Sequence, residues 1–244
     1  MYLLRVPRFH SITKTSMPNL NVYELGTVDY EKCFRIQNTL QLARLADEIP
    51  DCLILLEHPP TITYAKPVDL KNLLVTESHL QKQGIRLVKT DRGGNITWHE
   101  PGQLIGYPIL KLTGKDRDLK KLISNYQEVI IRTVAEFSIK AHRDTEHIGV
   151  WVGNEKIAAM GVRMKRWVSK HGFSINISSS IAHYSLINPC GIDDRGVTSL
   201  SNLVGTEVAV DTVREKVIRH FSSVFALDVE KRPVEEILNL DIEV

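Results

Sequence analysis

Gly149-Val150-Trp151-Val152-Gly153-Asn154-Glu155-Lys156-Ile157-Ala158-Ala159-Met160-Gly161-Val162 is the stretch that decides the fold class. Two apolar runs flank a Gly-Asn pair suited to a tight turn, which is the pattern of an antiparallel hairpin. The segment from Gly172 to Ile177 alternates as a further strand. No helix of crossover length separates these strands, so a parallel βαβ repeat is excluded here.

Working outward, Ile85 to Thr90, Asn95 to Trp98 and Leu104 to Leu110 read as strands, separated by the glycines of Arg92-Gly93-Gly94 and Pro101-Gly102. The pattern predicts one sheet with a glycine-rich loop at its edge. Cys52-Leu53-Ile54-Leu55-Leu56 is a continuous apolar run between turn residues. Such a strand is covered on both sides. Cys33, Ile36, Leu40 and Ala43 share one face of a helix over residues 29 to 49, ended by Pro50. A second helix carries Ile123, Tyr126, Ile130, Val134 and Phe137 and must lay that stripe on the sheet. A last one starts near Asp211 or Thr212, with Glu215 placed for a capping box and Val213, Val217 and Val224 inward. Long helices mixed with mostly adjacent strands mean α+β, in a mixed or largely antiparallel sheet with packed helices. No linker, repeat or low-complexity segment divides the 244 residues, so a single domain is expected.

With 31 basic against 29 acidic residues, no whole-molecule field favours nucleic acid or an anionic membrane. Cys33, Cys52 and Cys190 match neither a zinc site nor a disulfide framework, so no metal is expected and the chain reads as reduced and intracellular. No apolar run approaches the roughly 20 residues that cross a bilayer. Residues 1 to 20 hold Arg5, Arg8, His10 and Lys14 and no acid. They read either as a mitochondrial transit peptide or as a short basic extension, with the folded domain over 21 to 244. The compartment is accordingly the cytoplasm or, with a transit peptide, the mitochondrial matrix.

Four places could carry chemistry. Cys190 in Asn188-Pro189-Cys190-Gly191-Ile192 lies between proline and glycine, a bend that leaves sulfur unshielded, as a nucleophile requires. Cys33 and Cys52 fall on core faces. The loop Arg92-Gly93-Gly94-Asn95-Ile96-Thr97-Trp98-His99 lets backbone approach a ligand, with Arg92 and His99 as donors, or is a hairpin that needs glycine for its turn. Lys156 heads an apolar strand. Partly withdrawn from water, its neutral amine could accept a proton; otherwise it is a strand-end lysine in solvent. His171 precedes Gly172, and on generic grounds Cys190 pairs with His171 or His99.

Arg92-Gly93-Gly94-x-x-Thr97-x-His99-x-Pro101-Gly102-Gln103-Leu104, Gly149-Val150-Trp151-Val152, Lys156-Ile157-Ala158-Ala159-x-Gly161-Val162, His171-Gly172, and Pro189-Cys190-Gly191 with Val197-Thr198-Ser199-Leu200 together resemble the lipoyl(octanoyl) transferases. The resemblance runs in order from about Leu25 to the last helix. It implies the fold of biotin and lipoate protein ligases, a sheet with helices on one side. It also implies octanoyl transfer from octanoyl-acyl carrier protein to a lysine of the lipoyl domains of 2-oxoacid dehydrogenases and of the glycine-cleavage H protein, with no cofactor. The catalytic pair it implies is Lys156 and Cys190, in place of a cysteine-histidine pair. Arg92 to His99, Ala159, Met160, Gly161, Gly172, Phe173 and Ser174 would line the acyl site.

Two departures stand out: Glu100 where the family usually has glycine, and Thr63-Tyr64-Ala65-Lys66-Pro67 where it has a Thr-Leu-Gly-like turn. An ATP-dependent lipoate or biotin ligase on the same fold and a non-catalytic acyl-binding module are the competing readings. Arg163, Lys165, Arg166 and Lys170 form the expected basic rim for an acidic carrier protein.

Overall fold

The computed structural model describes residues 19–189 and 195–238, so Cys190 and most of residues 1 to 20 lie outside the described residues. The chain enters on β1 (Asn19–Thr27), turns through α1 (Tyr30–Leu45) and returns in β2 (Asp51–Glu57), parallel to β1. The side chain of Asp29 starts α1 by accepting from the backbone N–H groups of Glu31 and Lys32. The first strand begins at Asn19, just ahead of the expected boundary after residue 20.

β3 (Thr61–Tyr64), α2 (Glu77–Lys82), β4 (Arg86–Lys89) and β5 (Thr97–His99) follow. The three strands make a small separate sheet in the order β4-β3-β5. This corrects the expectation that the strands at Ile85–Thr90 and Asn95–Trp98 join the one at Leu104–Leu110. The missing partner was β3, four residues of Thr-Ile-Thr-Tyr too short to read as a strand in the sequence.

The rest of the chain is β6 (Gln103–Ile109), α3 (Leu119–Ala135), β7 (His142–Arg143), β8 (Val150–Val152), β9 (Glu155–Lys165), β10 (Val168–Asn176), β11 (Gly196–Val197), α4 (Leu200–Val204), α5 (Val210–Phe225), β12 (Asp228–Lys231) and α6 (Glu235–Leu238). The main sheet runs β12-β1-β2-β6-β10-β9-β8-β7, with β11 joining β9. It is antiparallel from β2 through β7 and parallel at β12-β1-β2 and at β11-β9. The hairpin read from Gly149 onward is β8-β9.

Helices cover both faces, where the resemblance implied one. Leu53 and Leu55 of β2 point into the cluster holding Tyr126 and Ile130 of α3 and Val213 and Val217 of α5. Cys52, Ile54 and Leu56 point the opposite way, into the cluster holding Cys33, Ile36 and Leu40 of α1. That is the two-sided burial which the continuous apolar run demanded. The expected capping box at the last helix does not form: Ala209 caps α5 without a side-chain bond, and Glu215 pairs instead with Lys231 at 2.5 Å.

At the centre of the sheet Phe173 of β10 lies opposite Gly106 of β6. A Cβ on Gly106 would fall 2.2 Å from the Phe173 ring, so the absent side chain makes room for that ring. Gly106→Ala should therefore destabilise the fold by about 1–3 kcal/mol in chemical denaturation, the usual cost of overpacking. Adding Phe173→Leu should recover part of the loss.

Candidate active site

The site is built on a floor on the α1 side of the main sheet. Gly161 and Gly172 face each other across β9 and β10, and Ala159 faces Ser174. Small residues at four facing positions leave a gap in the side-chain layer. Ile105, Tyr107 and Asn176 complete this wall of the cleft.

The glycine-rich loop forms the roof. Gly93 donates its N–H to the Val162 carbonyl at 3.1 Å, and a Cβ on Gly161 would stand 2.6 Å from the Gly93 carbonyl. Glycine is required at Gly161 for the loop to lie this close to β9. Arg92 fastens the loop from the other side, its Nη2 donating to the Thr63 carbonyl at 2.8 Å and its Nε to Thr63 Oγ1 at 3.1 Å. Arg92 is thus a clamp between the loop and β3 and not a solvated side chain.

Thirteen residues expected from the sequence line this one cleft: Arg92, Gly94, Asn95, Ile96, Thr97, His99, Lys156, Ala159, Met160, Gly161, Gly172, Phe173 and Ser174. Two do not. Trp98 is fully buried in the core beneath the small sheet, because it alternates with Thr97 and His99 along β5. Gly93 holds the loop on β9 and faces a neighbouring trough.

Lys156 stands at one end of the cleft, buried, with its Nζ 4.8 Å from the Trp151 ring centroid. A Cβ on Gly149 would come within 3.1 Å of Lys156 Cε, so Gly149 gives the lysine stem its path. Pro189, which precedes Cys190 in sequence, lines the same cleft. Beyond residue 194 the chain returns directly to the lysine: β11 pairs with Glu155 and Lys156, and Thr198 N–H donates to the Lys156 carbonyl at 3.0 Å. Arg195 at this return packs its guanidinium 5.0 Å from the Trp151 ring and pairs with Asp144 at 2.5 Å. Trp151 thus carries both cations.

Both candidate histidines are occupied. His99 is buried, with Nδ1 2.8 Å from Gln103 Oε1 and Nε2 3.4 Å from Thr63 Oγ1. Gln103 in turn donates to Asn176 Oδ1 at 2.8 Å, which leaves its Oε1 to accept from His99. His171 holds a left-handed backbone with φ 57° and places Nε2 2.8 Å from Asp91 Oδ1. The other Asp91 oxygen takes Lys170 at 3.0 Å. Lys170 is therefore buried and paired, a correction to its place on the expected basic rim, whereas Arg163, Lys165 and Arg166 are exposed. Glu100 is also buried and accepts from His183 Nδ1 at 2.9 Å, and it stays outside the cleft wall.

Tyr30, Tyr107 and Asn176 line the cleft, and Thr63 and Gln103 hold His99, without having been expected there from the sequence. Gln103 was quoted as part of the glycine loop but carried no partner in sequence. The register of β5 against β3, and of β6 against β10, brings Thr63, Gln103 and Asn176 together, while Tyr30 arrives from the start of α1.

Burial also sets the histidine charges. His58 donates from Nδ1 to the Val28 carbonyl at 2.6 Å and accepts at Nε2 from Tyr107 at 2.9 Å, and burial pushes it down to about 4. Burial likewise holds His99 well below the usual imidazole range, helped by the neighbouring His58. Both stay neutral in the fold while the unfolded chain takes up protons below pH ~6.5. Stability should therefore fall as pH drops from ~6.5 toward 4, by up to about 1.4 kcal/mol per pH unit for each buried histidine. Denaturation of His58→Gln across this range should give a flatter slope than the parent chain, and an unchanged slope would contradict the assignment.

The site can be set beside known proteins. Residues 29–222 match the lipoyl protein ligase A/B catalytic domain family. The chain is 42% identical over 223 residues to an octanoyltransferase of Caldicellulosiruptor bescii, covering 91% of this chain and 98% of that one. It is 44% identical to an octanoyltransferase of Alkaliphilus metalliredigens, covering 86% and 97%. Among solved structures, a putative lipoate protein ligase of Thermoplasma acidophilum with bound lipoic acid superposes with a TM-score of 0.74 at 15% identity, covering 91% and 93%. A lipoate-protein ligase A bound with ATP gives 0.73 at 15%, covering 93% of each chain, and both likenesses speak for the fold. With the fold, the ordered motifs and this level of identity over nearly the whole chain, the protein belongs to the octanoyltransferases of the lipoyl protein ligase A/B catalytic domain family.

Proposed function

We propose that the protein is an acyltransferase of protein lipoylation, in which Cys190 carries octanoyl between acyl carrier protein and a lysine of lipoyl domains or of the glycine-cleavage H protein. The observation that carries this reading is that Lys156 and Pro189, the neighbour of Cys190, line one cleft with the small-residue floor. The octanoyl chain lies on Ala159, Gly161, Gly172 and Ser174, under the loop at Gly94 to Thr97. Burial in an apolar slot favours an unbranched chain, at roughly 0.8 kcal/mol per methylene removed from water.

The chemistry follows in two displacements. The neutral Lys156 amine takes the Cys190 thiol proton, the thiolate attacks the octanoyl thioester, and the carrier thiol leaves with that proton while octanoyl stays on Cys190. The acceptor lysine amine then attacks the new thioester, an amide forms, and the thiol is restored by the proton that the amine loses. Thioester exchange is nearly neutral and amide formation downhill, so the sequence of steps closes without ATP. An ATP-dependent ligase on this fold would release AMP on incubation with ATP and lipoate, whereas the transferase should release none, and that measurement separates the two. Arg163, Lys165 and Arg166 are the basic rim on which an acidic carrier protein docks.

Three measurements test this reading. Cys190→Ala should abolish both a mass shift of one octanoyl group and transfer to the acceptor, whereas full transfer by that variant would sink the mechanism. Lys156→Arg keeps the charge but cannot give up its proton at working pH, so a proton-accepting role predicts a loss on the order of 10²- to 10⁴-fold in Cys190 acylation. Near-parental acylation would show that only charge was needed. Reversing Arg163 and Lys165 to Glu should raise KM for the carrier-bound substrate and weaken its salt dependence; an unchanged salt response counts against the rim.

A further inference from the structure

A second hollow meets the acyl cleft at its reactive end. It lies between the first turns of α3, the loop from β7 to β8, and the outer side of the glycine roof, and it shares Gly94, Lys156, Met160 and Gly161 with the cleft. Leu119 and Ile123, four residues apart on α3, together with Ile148 and Val162 give it apolar walls. Leu119 and Ile148 remain 40% and 57% exposed, an apolar lip that a folded chain leaves open to solvent only in small amounts. The carboxylate of its wall is Glu146, exposed and without an ion pair among the described residues.

We infer that this trough is the entry for the acceptor lysine, its four methylenes lying between Leu119, Ile123 and Ile148 and its ammonium drawn in past Glu146. The inference rests on the two-step reading above. Once octanoyl occupies the cleft, an attacking amine has to reach the thioester from another direction, and the trough opens at Lys156. The sign of the charge chooses between the two arms that visit the site. A lysine arm is cationic and is favoured by Glu146, whereas a phosphate-bearing carrier arm is anionic and is repelled by it. Apolar walls suit a lysine stem, which buries its methylenes while the charged head seeks water or a counter-charge.

The test follows the two half-reactions separately. Ile148→Arg and Glu146→Lys each place a cation at the lip, at exposed positions that the fold does not need. Octanoylation of Cys190 from octanoyl-acyl carrier protein is read by intact mass, and discharge of the octanoyl-enzyme is read with an apo lipoyl domain and, separately, with hydroxylamine. Each variant should slow discharge to the lipoyl domain by about tenfold, the consequence of ~1.4 kcal/mol of repulsion, while acylation and discharge to hydroxylamine stay within about twofold. Equal loss in both half-reactions would assign the trough to the donor arm and overturn the inference, as would no loss in either. If the parent enzyme shows no acyl adduct at all, the Cys190 reading fails on its own. The trough is then read by steady-state transfer, where a raised KM for the lipoyl domain at unchanged KM for the donor supports it and an unchanged acceptor KM overturns it.

Discussion

The close approach of the glycine loop to β9 is the constraint on which the rest of the site depends. One N–H from Gly93 to the Val162 carbonyl at 3.1 Å and one missing side chain at Gly161 hold a roof over the floor at backbone distance. Any Cβ at Gly161 would need to occupy the place of the Gly93 carbonyl, 2.6 Å away. Raising the loop by that amount would open the slot to water and separate Arg92 from Thr63. At this point the cleft is therefore narrow because backbone meets backbone.

A polar chain then ties the roof to the floor. Arg92 donates to Thr63, Thr63 reaches His99, His99 meets Gln103, Gln103 donates to Asn176, and Asn176 donates to the Thr198 carbonyl at 3.0 Å. The small sheet, the main sheet and the segment returning after residue 194 are joined by it in sequence. Such a network is costly when one member loses its partner, so it specifies one arrangement of three elements that apolar packing alone would leave free to slide. In the departing stretch Thr63-Tyr64-Ala65-Lys66-Pro67, which begins within β3, Thr63 belongs to this network and Asp69 holds the following turn by accepting from Lys66 N–H at 2.7 Å.

How much was legible in the sequence depended on whether a signal was local. The β8-β9 hairpin, the two-sided burial of β2 and the inward face of α1 are written in neighbouring residues and stand as read. The small sheet was not legible, since β3 is four residues long and its meaning lies in partners more than twenty residues away. β1 and β12 escaped for the same reason, a parallel pairing carrying no turn signal of its own. Trp98 was misplaced because a motif groups residues that a strand then sends to opposite faces. Lys170 looked like a rim cation because nothing local shows that Asp91, distant in sequence, neutralises it.

The geometry also bears on why a lysine, and not a histidine, would serve as the proton acceptor. Both ring nitrogens of His99 lie beside fixed polar atoms, and moving either would break the chain that sets the roof. His171 has Nε2 on Asp91, in a buried, left-handed position where the ring stacks 5.6 Å from Phe34. Either ring would have to leave a packed, hydrogen-bonded site to act as a proton acceptor. The stem of Lys156 runs past a glycine, its head lies over an indole face, and its own backbone is paired with the strand that begins at Gly196. Lys156 and the segment Gly196–Val197 are thus held to each other by the pairing of β9 with β11, which keeps the proposed proton acceptor beside the strand that follows Cys190 in sequence.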